Sequence, residues 1–227
     1  TLTVLQACLK HRVSRLLYAS SMQAYGDTDV VPTPEDTPCR PVNYYGITKY
    51  AGERYVHTTA ERGDLDFPFR VTSFRMYNVY GPRQALDNPY QGVLGIFLGH
   101  LLRGEPLTIF GDGEQTRDFV YVGDVADAWV GALDNPASYG RVINLGSGRE
   151  TSINELSELA AAAAGRPGAD VRHAPARPGE LRRVAADVRL ARSVLGWEPR
   201  TPFSVGLAET ARWAVRESER IPAGRVR

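Results

Sequence analysis

Apolar positions along the 227-residue chain follow two alternating rhythms. Val4, Leu5, Cys8 and Leu9 recur at helical spacing, and Arg15-Leu16-Leu17-Tyr18-Ala19 follows as a compact run of the kind a buried strand makes. A second cycle predicts a helix that starts at Asn43, an N-cap residue type, and ends at Gly63, with a strand over 67–75 after it. A third places a helix over 123–133 and a strand over 142–145. Residues 84–118 break the alternation with a helix over 92–103, a short strand over 107–110, a turn at 111–114, and Arg117-Asp118 leading into an apolar stretch at 119–122. Beyond them come an alanine-rich helix over 153–164, a strand at 171–174 and helices at 187–195 and 205–216, with a frayed tail after Glu217. Alternation of this kind predicts an α/β fold with a parallel sheet. Residues 1–83 and 119–150 are expected to form its main domain, and 84–118 with 151–227 a smaller α+β lobe.

Composition narrows the function classes. A hydrophobic fraction of 43% suits a packed globule, and a net charge of +1 provides no general field for nucleic acid or an anionic membrane. No apolar run approaches the roughly 20 residues that span a bilayer. Cys8 and Cys39 are too few for a disulfide framework, and no Cys/His spacing resembles a metal site, so a soluble protein of a reducing cytoplasm without a metal is expected. The chain opens at Thr1 inside a helical pattern, which leads us to expect that an N-terminal portion precedes it.

Candidate chemistry centres on Asn43-Tyr44-Tyr45-Gly46-Ile47-Thr48-Lys49. On a helix, Tyr45 and Lys49 stand four residues apart and emerge on one face. A free phenol titrates near ~10 and is a poor base at neutral pH. An ammonium about 4–5 Å away favours the phenolate by roughly 3–4 kcal/mol at an effective dielectric of about 20, which makes a usable general base. The bare pattern is also an ordinary surface pair. Lys10 and Lys49 are the only lysines among 27 basic residues, and arginine does not act as a compact point charge, so a lysine at 49 suggests a specific need.

Two polar loops fall at the C-terminal ends of expected strands, where ligands bind in open α/β sheets. They are Ser20-Ser21-Met22-Gln23-Ala24-Tyr25-Gly26 and Met76-Tyr77-Asn78-Val79-Tyr80-Gly81-Pro82-Arg83. Alone, the Ser-Ser pair is more often a turn than a catalytic element. The stretch 27–41, with four prolines, reads as an ordered surface excursion. Gly146-Ser147-Gly148-Arg149-Glu150-Thr151 imitates a dinucleotide-binding turn, but its sixth position is Thr151, and Ser152 with Glu155 forms a capping box that accounts for it. Arg177-Pro178-Gly179-Glu180 reads as a rigid turn, and a guanidinium held there also suits a phosphate or ribose.

Five motifs in this order resemble the extended short-chain dehydrogenase/reductase family, above all its nucleotide-sugar 4-epimerases. They are Ser20-Ser21-x-x-x-Tyr25-Gly26, Tyr45-x-x-x-Lys49, Arg75-x-x-Asn78-x-x-Gly81-Pro82, Gly113-x-x-x-Arg117-Asp118, and Arg177-Pro178-Gly179-Glu180 followed by Ala186-Asp187. The resemblance implies the C-terminal part of a Rossmann-like parallel sheet with a substrate lobe, an NAD cofactor, and a UDP- or dTDP-hexose as substrate. It assigns Ser21 to the C4 hydroxyl, Tyr45 to the base, and Lys49 to the nicotinamide ribose, with Ser20 and Met76 beside the cofactor. Asn78, Arg117 and Arg177 would hold the diphosphate and Glu180 the nucleotide ribose. Thr108 and Phe110 would lie beside the base, with Gln23 and Val93 as further substrate contacts. The reaction implied is transient oxidation at C4, with hydride leaving for NAD⁺ and returning to the other face of a 4-keto sugar. Gln23 stands where dehydratases and decarboxylases of the family carry Glu, which disfavours both chemistries. Met76 replaces a common aromatic. The family's Gly-x-x-Gly-x-x-Gly turn is absent, and Thr1 aligns roughly 100 residues into such a protein. The resemblance also allows a homodimer through the helix carrying Tyr45.

Two other readings remain open at this level: a non-catalytic remnant that keeps the fold without NAD, and another epimerase or reductase on the same scaffold. The 227-residue chain alone is expected to show little epimerase activity, because half of the implied cofactor site lies outside it. Turnover of UDP-galactose by the isolated chain, with or without added NAD⁺, would contradict this.

Overall fold

A computed structural model describes residues 1–86, 88, 92–177 and 179–220. Along the chain run α1 (Leu2–Lys10), β1 (Arg15–Ser21), a 3-10 turn (Met22–Ala24), α2 (Tyr44–Ala60), β2 (Arg70–Met76), β3 (Asn78–Tyr80), α3 (Val93–Arg103) and β4 (Leu107–Phe110). They are followed by β5 (Thr116–Arg117), β6 (Phe119–Tyr121), α4 (Val122–Ala132), β7 (Arg141–Leu145), β8 (Thr151–Ser152), α5 (Ile153–Ala163), β9 (Val171–Ala174), α6 (Arg189–Leu195) and α7 (Phe203–Arg220). The chain divides into two compact units.

The first unit comprises Thr1–Tyr77, Val125–Gly148 and Ala185–Glu198. Its centre is a parallel sheet in the order β1-β2-β7. The register sets Ser20 beside Arg75 and Arg75 beside Asn144; one residue further on, Ser21, Met76 and Leu145 form the next row. Leu5 and Cys8 of α1, Val56 of α2, and Phe69 and Val71 close a hydrophobic cluster. The helix α2 begins where the Asn43 side chain accepts a hydrogen bond from the Gly46 N–H at 2.8 Å. A Cβ at Gly46 would stand 2.4 Å from the Gln23 carbonyl oxygen, so glycine lets the first turn of α2 press against the 3-10 turn.

The second unit comprises Asn78–Asp124, Arg149–Val184 and Pro199–Arg227, of which residues 221–227, including the end of the expected tail, lie outside the described residues. It holds the parallel pairs β3–β6 and β4–β9 and the antiparallel pair β5–β8. Its core gathers Leu94, Phe97, Leu98 and Leu101 of α3, Leu107 and Ile109 of β4, Ile153 and Leu156 of α5, and Leu207 of α7 around Tyr80 and Phe119. Helix α3 ends on Gly104 at φ 70°, a left-handed conformation that suits glycine. Ser152 caps α5 by accepting from the Glu155 N–H.

Several boundaries differ from the sequence expectation, each for a local reason. Pairing of β2 starts at Arg70 instead of residue 67, since Pro68 has no N–H for a ladder. The stretch after Tyr77, expected as a turn, is β3: the Tyr77 N–H still donates to the Leu145 carbonyl, and the Asn78 N–H donates to that of Asp118. Helix α6 starts at Arg189, with Asp187 accepting from its N–H. The units also divide differently from the expected domains. Residues 78–83 and 119–124 join the second unit, because β3 and β6 pair with each other. Residues 185–198 join the first: Thr33 bridges to Ala186, and the Asn135 amide donates to the Val194 carbonyl.

Replacing Asn43 by alanine removes the cap of α2. Stability is expected to fall by about 1 kcal/mol, read as a lower urea midpoint with an unchanged slope.

Candidate active site

In the first unit the C-terminal edge of the sheet and the start of α2 carry the candidate residues. Tyr45, in the first turn, is 55% exposed. The Lys49 ammonium lies 5.6 Å from the centre of the Tyr45 ring and donates to the Ala19 carbonyl at 2.9 Å, so the end of β1 fixes it. Burial lowers the Lys49 pKa from its usual value. Ser21, the last residue of β1, caps the 3-10 turn by accepting from the Gln23 N–H. Gln23 in turn accepts from the Asn43 amide at 3.0 Å, tying the serine loop to the cap of α2. Met76 sits beside Ser21 in the register, as the last residue of β2. Thus Ser21, Gln23, Tyr45, Lys49 and Met76 fall in one unit, linked through named contacts.

Ser20, expected beside the cofactor, is held by the helix α2. Its hydroxyl is buried and donates to Glu53 at 2.6 Å. Glu53 also receives two N–H groups of Arg75, at 2.6 and 3.1 Å, and the two side chains are 2% and 6% exposed. Arg75 lies over the Tyr25 ring at 4.5 Å and donates to the Glu35 carbonyl. The Tyr25 hydroxyl donates to the Asn144 side chain at 2.7 Å, while the Asn144 N–H donates to the Glu35 carboxylate at 2.8 Å. Burial works against the Arg75 charge, but the Glu53 hydrogen bonds and the neighbouring Tyr25 outweigh it, and its pKa rises. Burial pushes up both the Tyr25 phenol and the Glu35 carboxyl. Sequence reading missed Glu53, Glu35 and Asn144. Glu53 follows Tyr45 and Lys49 at the same four-residue step, a signal that was available.

In the second unit a cavity of about 330 Å³ collects Thr108, Phe110 and Arg177, with Phe97, His100 and Arg103 from α3. The Arg177 guanidinium stacks on the Phe110 ring at 3.7 Å. The proline of the expected 177–180 turn lies outside the described residues. Sequence reading missed the α3 residues because an apolar helical period reads as core. Val93 packs on the core at the start of α3 and is not part of the cavity's described lining. Asn78, first in β3, has a buried side-chain oxygen with no hydrogen-bond partner among the described residues, the condition of a group that a ligand or water completes. Arg117 and Glu180 are paired with each other at 2.9 Å, and Arg117 also donates to the Thr116 and Leu181 carbonyls. Burial lowers the Arg117 pKa. Three of its five N–H groups are therefore committed, which leaves two for a ligand.

A serine at the end of a parallel strand, beside a helix bearing Tyr-x-x-x-Lys, defines a site of the short-chain dehydrogenase/reductase kind. A family model described as the NAD dependent epimerase/dehydratase family matches residues 1–146. The putative UDP-glucose 4-epimerase of Methanocaldococcus jannaschii is 36% identical over 214 residues, covering 94% of this chain and 67% of that protein. The UDP-glucose 4-epimerase of Mycolicibacterium smegmatis is 39% identical over 220 residues, 96% of this chain and 68% of that one. Among solved structures, the UDP-glucose 4-epimerase of Thermotoga maritima with UDP-glucose matches with a TM-score of 0.87 at 36% identity, over 96% of this chain and 68% of that chain. The chain belongs to the NAD-dependent epimerase/dehydratase family. It spans about two thirds of the length of these relatives.

The residues of the first unit fit the nicotinamide-ribose end of NAD. Lys49 is half-buried, makes no ion pair among the described residues, and has two N–H donors beyond the one given to Ala19, which suit ribose hydroxyls. In the 146–151 turn the Glu150 carboxylate accepts from the Thr116 hydroxyl at 2.7 Å and pairs with Arg183. Among the described residues no helix is long and apolar enough to cross a membrane.

Removing one partner of the Glu53–Arg75 pair leaves a buried charge without its counter-ion. Arg75→Met is expected to cost about 3–5 kcal/mol of stability, measured by urea denaturation. A loss within error of zero would show that the pair is not desolvated as described.

Proposed function

We propose that this chain carries the catalytic residues of an NAD-dependent nucleotide-sugar 4-epimerase acting on a UDP- or dTDP-hexose. The observation that carries this reading is the fixed pair of Tyr45 and Lys49 next to Ser21 at the edge of a parallel sheet. The Tyr45 hydroxyl oxygen takes the proton of the C4 hydroxyl and later returns it. Lys49 places positive charge beside the phenol, while Ser21 holds the C4 oxygen by a hydrogen bond. NAD, when bound, supplies the acceptor and donor of the C4 hydride.

Further support comes from each unit. The Gln23 amide accepts from Asn43 and has no acidic proton to give, which fits epimerisation better than loss of water. The Arg177–Phe110 stack and the neighbouring cavity suit a planar base and the phosphates attached to it. Exposed Tyr44 and Ile47 on α2 favour pairing with a second copy, and two free thiols fit a cytoplasmic protein.

The test is Tyr45→Phe in an active preparation. Turnover is expected to fall by about 10²–10⁴-fold, the usual contribution of a positioned base, while calorimetry finds nucleotide-sugar binding near normal. Unchanged turnover rules out the assigned base.

A further inference from the structure

Three successive residues of β1 touch α2 in order. The Tyr18 hydroxyl donates to the Lys49 carbonyl at 3.2 Å, the Lys49 ammonium donates to the Ala19 carbonyl at 2.9 Å, and the Ser20 hydroxyl donates to Glu53 at 2.6 Å. Tyr45, Lys49 and Glu53 occupy one helical face at steps of four. Glu53 is the member of this face that is fixed from two strands at once, by Ser20 of β1 and by Arg75 of β2, which lie side by side in the register. Arg75 is in turn held by Tyr25 and the Glu35 carbonyl, and Asn144, the next residue across the sheet, holds Tyr25 and the Glu35 carboxylate.

Stability is a weak account of this row. A buried ion pair gives little net stability over apolar residues of equal volume, whereas a charge-assisted, two-pronged contact fixes geometry sharply. An α-helix rises about 1.5 Å per residue, so a slip of α2 by a single residue would break the short Lys49–Ala19 contact. The Tyr18 bond is a longer neutral contact and does not resist such a slip to the same degree.

We propose that Glu53, acting through Ser20 and Arg75, is a positioning residue: it sets where α2 stands along β1 and thereby holds the Lys49 ammonium on the Ala19 carbonyl beside Tyr45. The purpose of that placement rests on the epimerase reading, but the placement itself is measurable without turnover. The chain contains only Lys10 and Lys49, so protein labelled with [ε-13C]lysine gives two resonances, with exposed Lys10 as the internal reference and K10R as the assignment.

In Glu53→Gln the Lys49 resonance is expected to shift toward the Lys10 position while circular dichroism remains native. Ser20→Ala, which removes only the hydroxyl link, is expected to shift it in the same direction by less. Val56→Ala, which hollows the core under the same helix, is expected to lower the melting temperature and leave the resonance in place. A folded Glu53→Gln protein with an unmoved Lys49 resonance overturns the proposal, as does an equal shift in Val56→Ala. If Glu53→Gln does not fold, Ser20→Ala decides alone, and an unmoved resonance there has the same meaning. In an active preparation Ser20→Ala is expected to lower kcat and leave KM unchanged; an inactive wild-type chain counts against the epimerase reading and not against this one.

Discussion

The Glu53–Arg75 pair is the contact on which the first unit depends. It lies beneath the candidate catalytic residues, where neither side chain reaches water, and it joins a helix to the middle strand of the sheet. Ion pairs at a protein surface are screened and change little when cut. This one is surrounded by Ser20, Tyr25 and the Glu35 backbone, so each of its polar atoms is answered locally. The loop 27–41 is held by the same row, through Glu35 and Thr33, which ties the excursion preceding Asn43 to the sheet.

Much of this fold was legible in the sequence because its signals are local and periodic. The Asn43 and Ser152 caps and the apolar faces of α1 and α5 all depend on residues within one or two turns of each other. The Tyr45–Lys49 pair was legible for the same reason. What the sequence hid was pairing at long range. The two-residue ladder of β5 and β8 is too short to carry a period, and the attachment of residues 185–198 to the first unit depends on Thr33, about 150 positions earlier. The capacity of Arg117 was hidden as well, since its pairing with Glu180 joins two motifs that each look like a ligand contact on their own.

The two units use charge differently. In the first unit Lys49 makes no ion pair among the described residues, and its cost of burial is met by a backbone carbonyl and an aromatic ring. In the second, arginines dominate, one paired with a carboxylate and one stacked on phenylalanine. A compact ammonium suits a single proton-bearing oxygen, and a planar guanidinium suits phosphates and rings.

The register of the β1-β2-β7 sheet has a consequence for how such a site can change. A slip of β2 by one residue would set Met76 in the place of Arg75 between Ser20 and Asn144 and turn a buried charge to the wrong face. The inner row therefore fixes alignment, and the outer row is released from that duty. Substitutions at the outer row can alter what the edge of the sheet contacts while the alignment of the strands beneath stays the same. A scaffold built this way separates the residues that hold position from those that choose chemistry, and new reactions can arise on it by changing a few side chains at the rim.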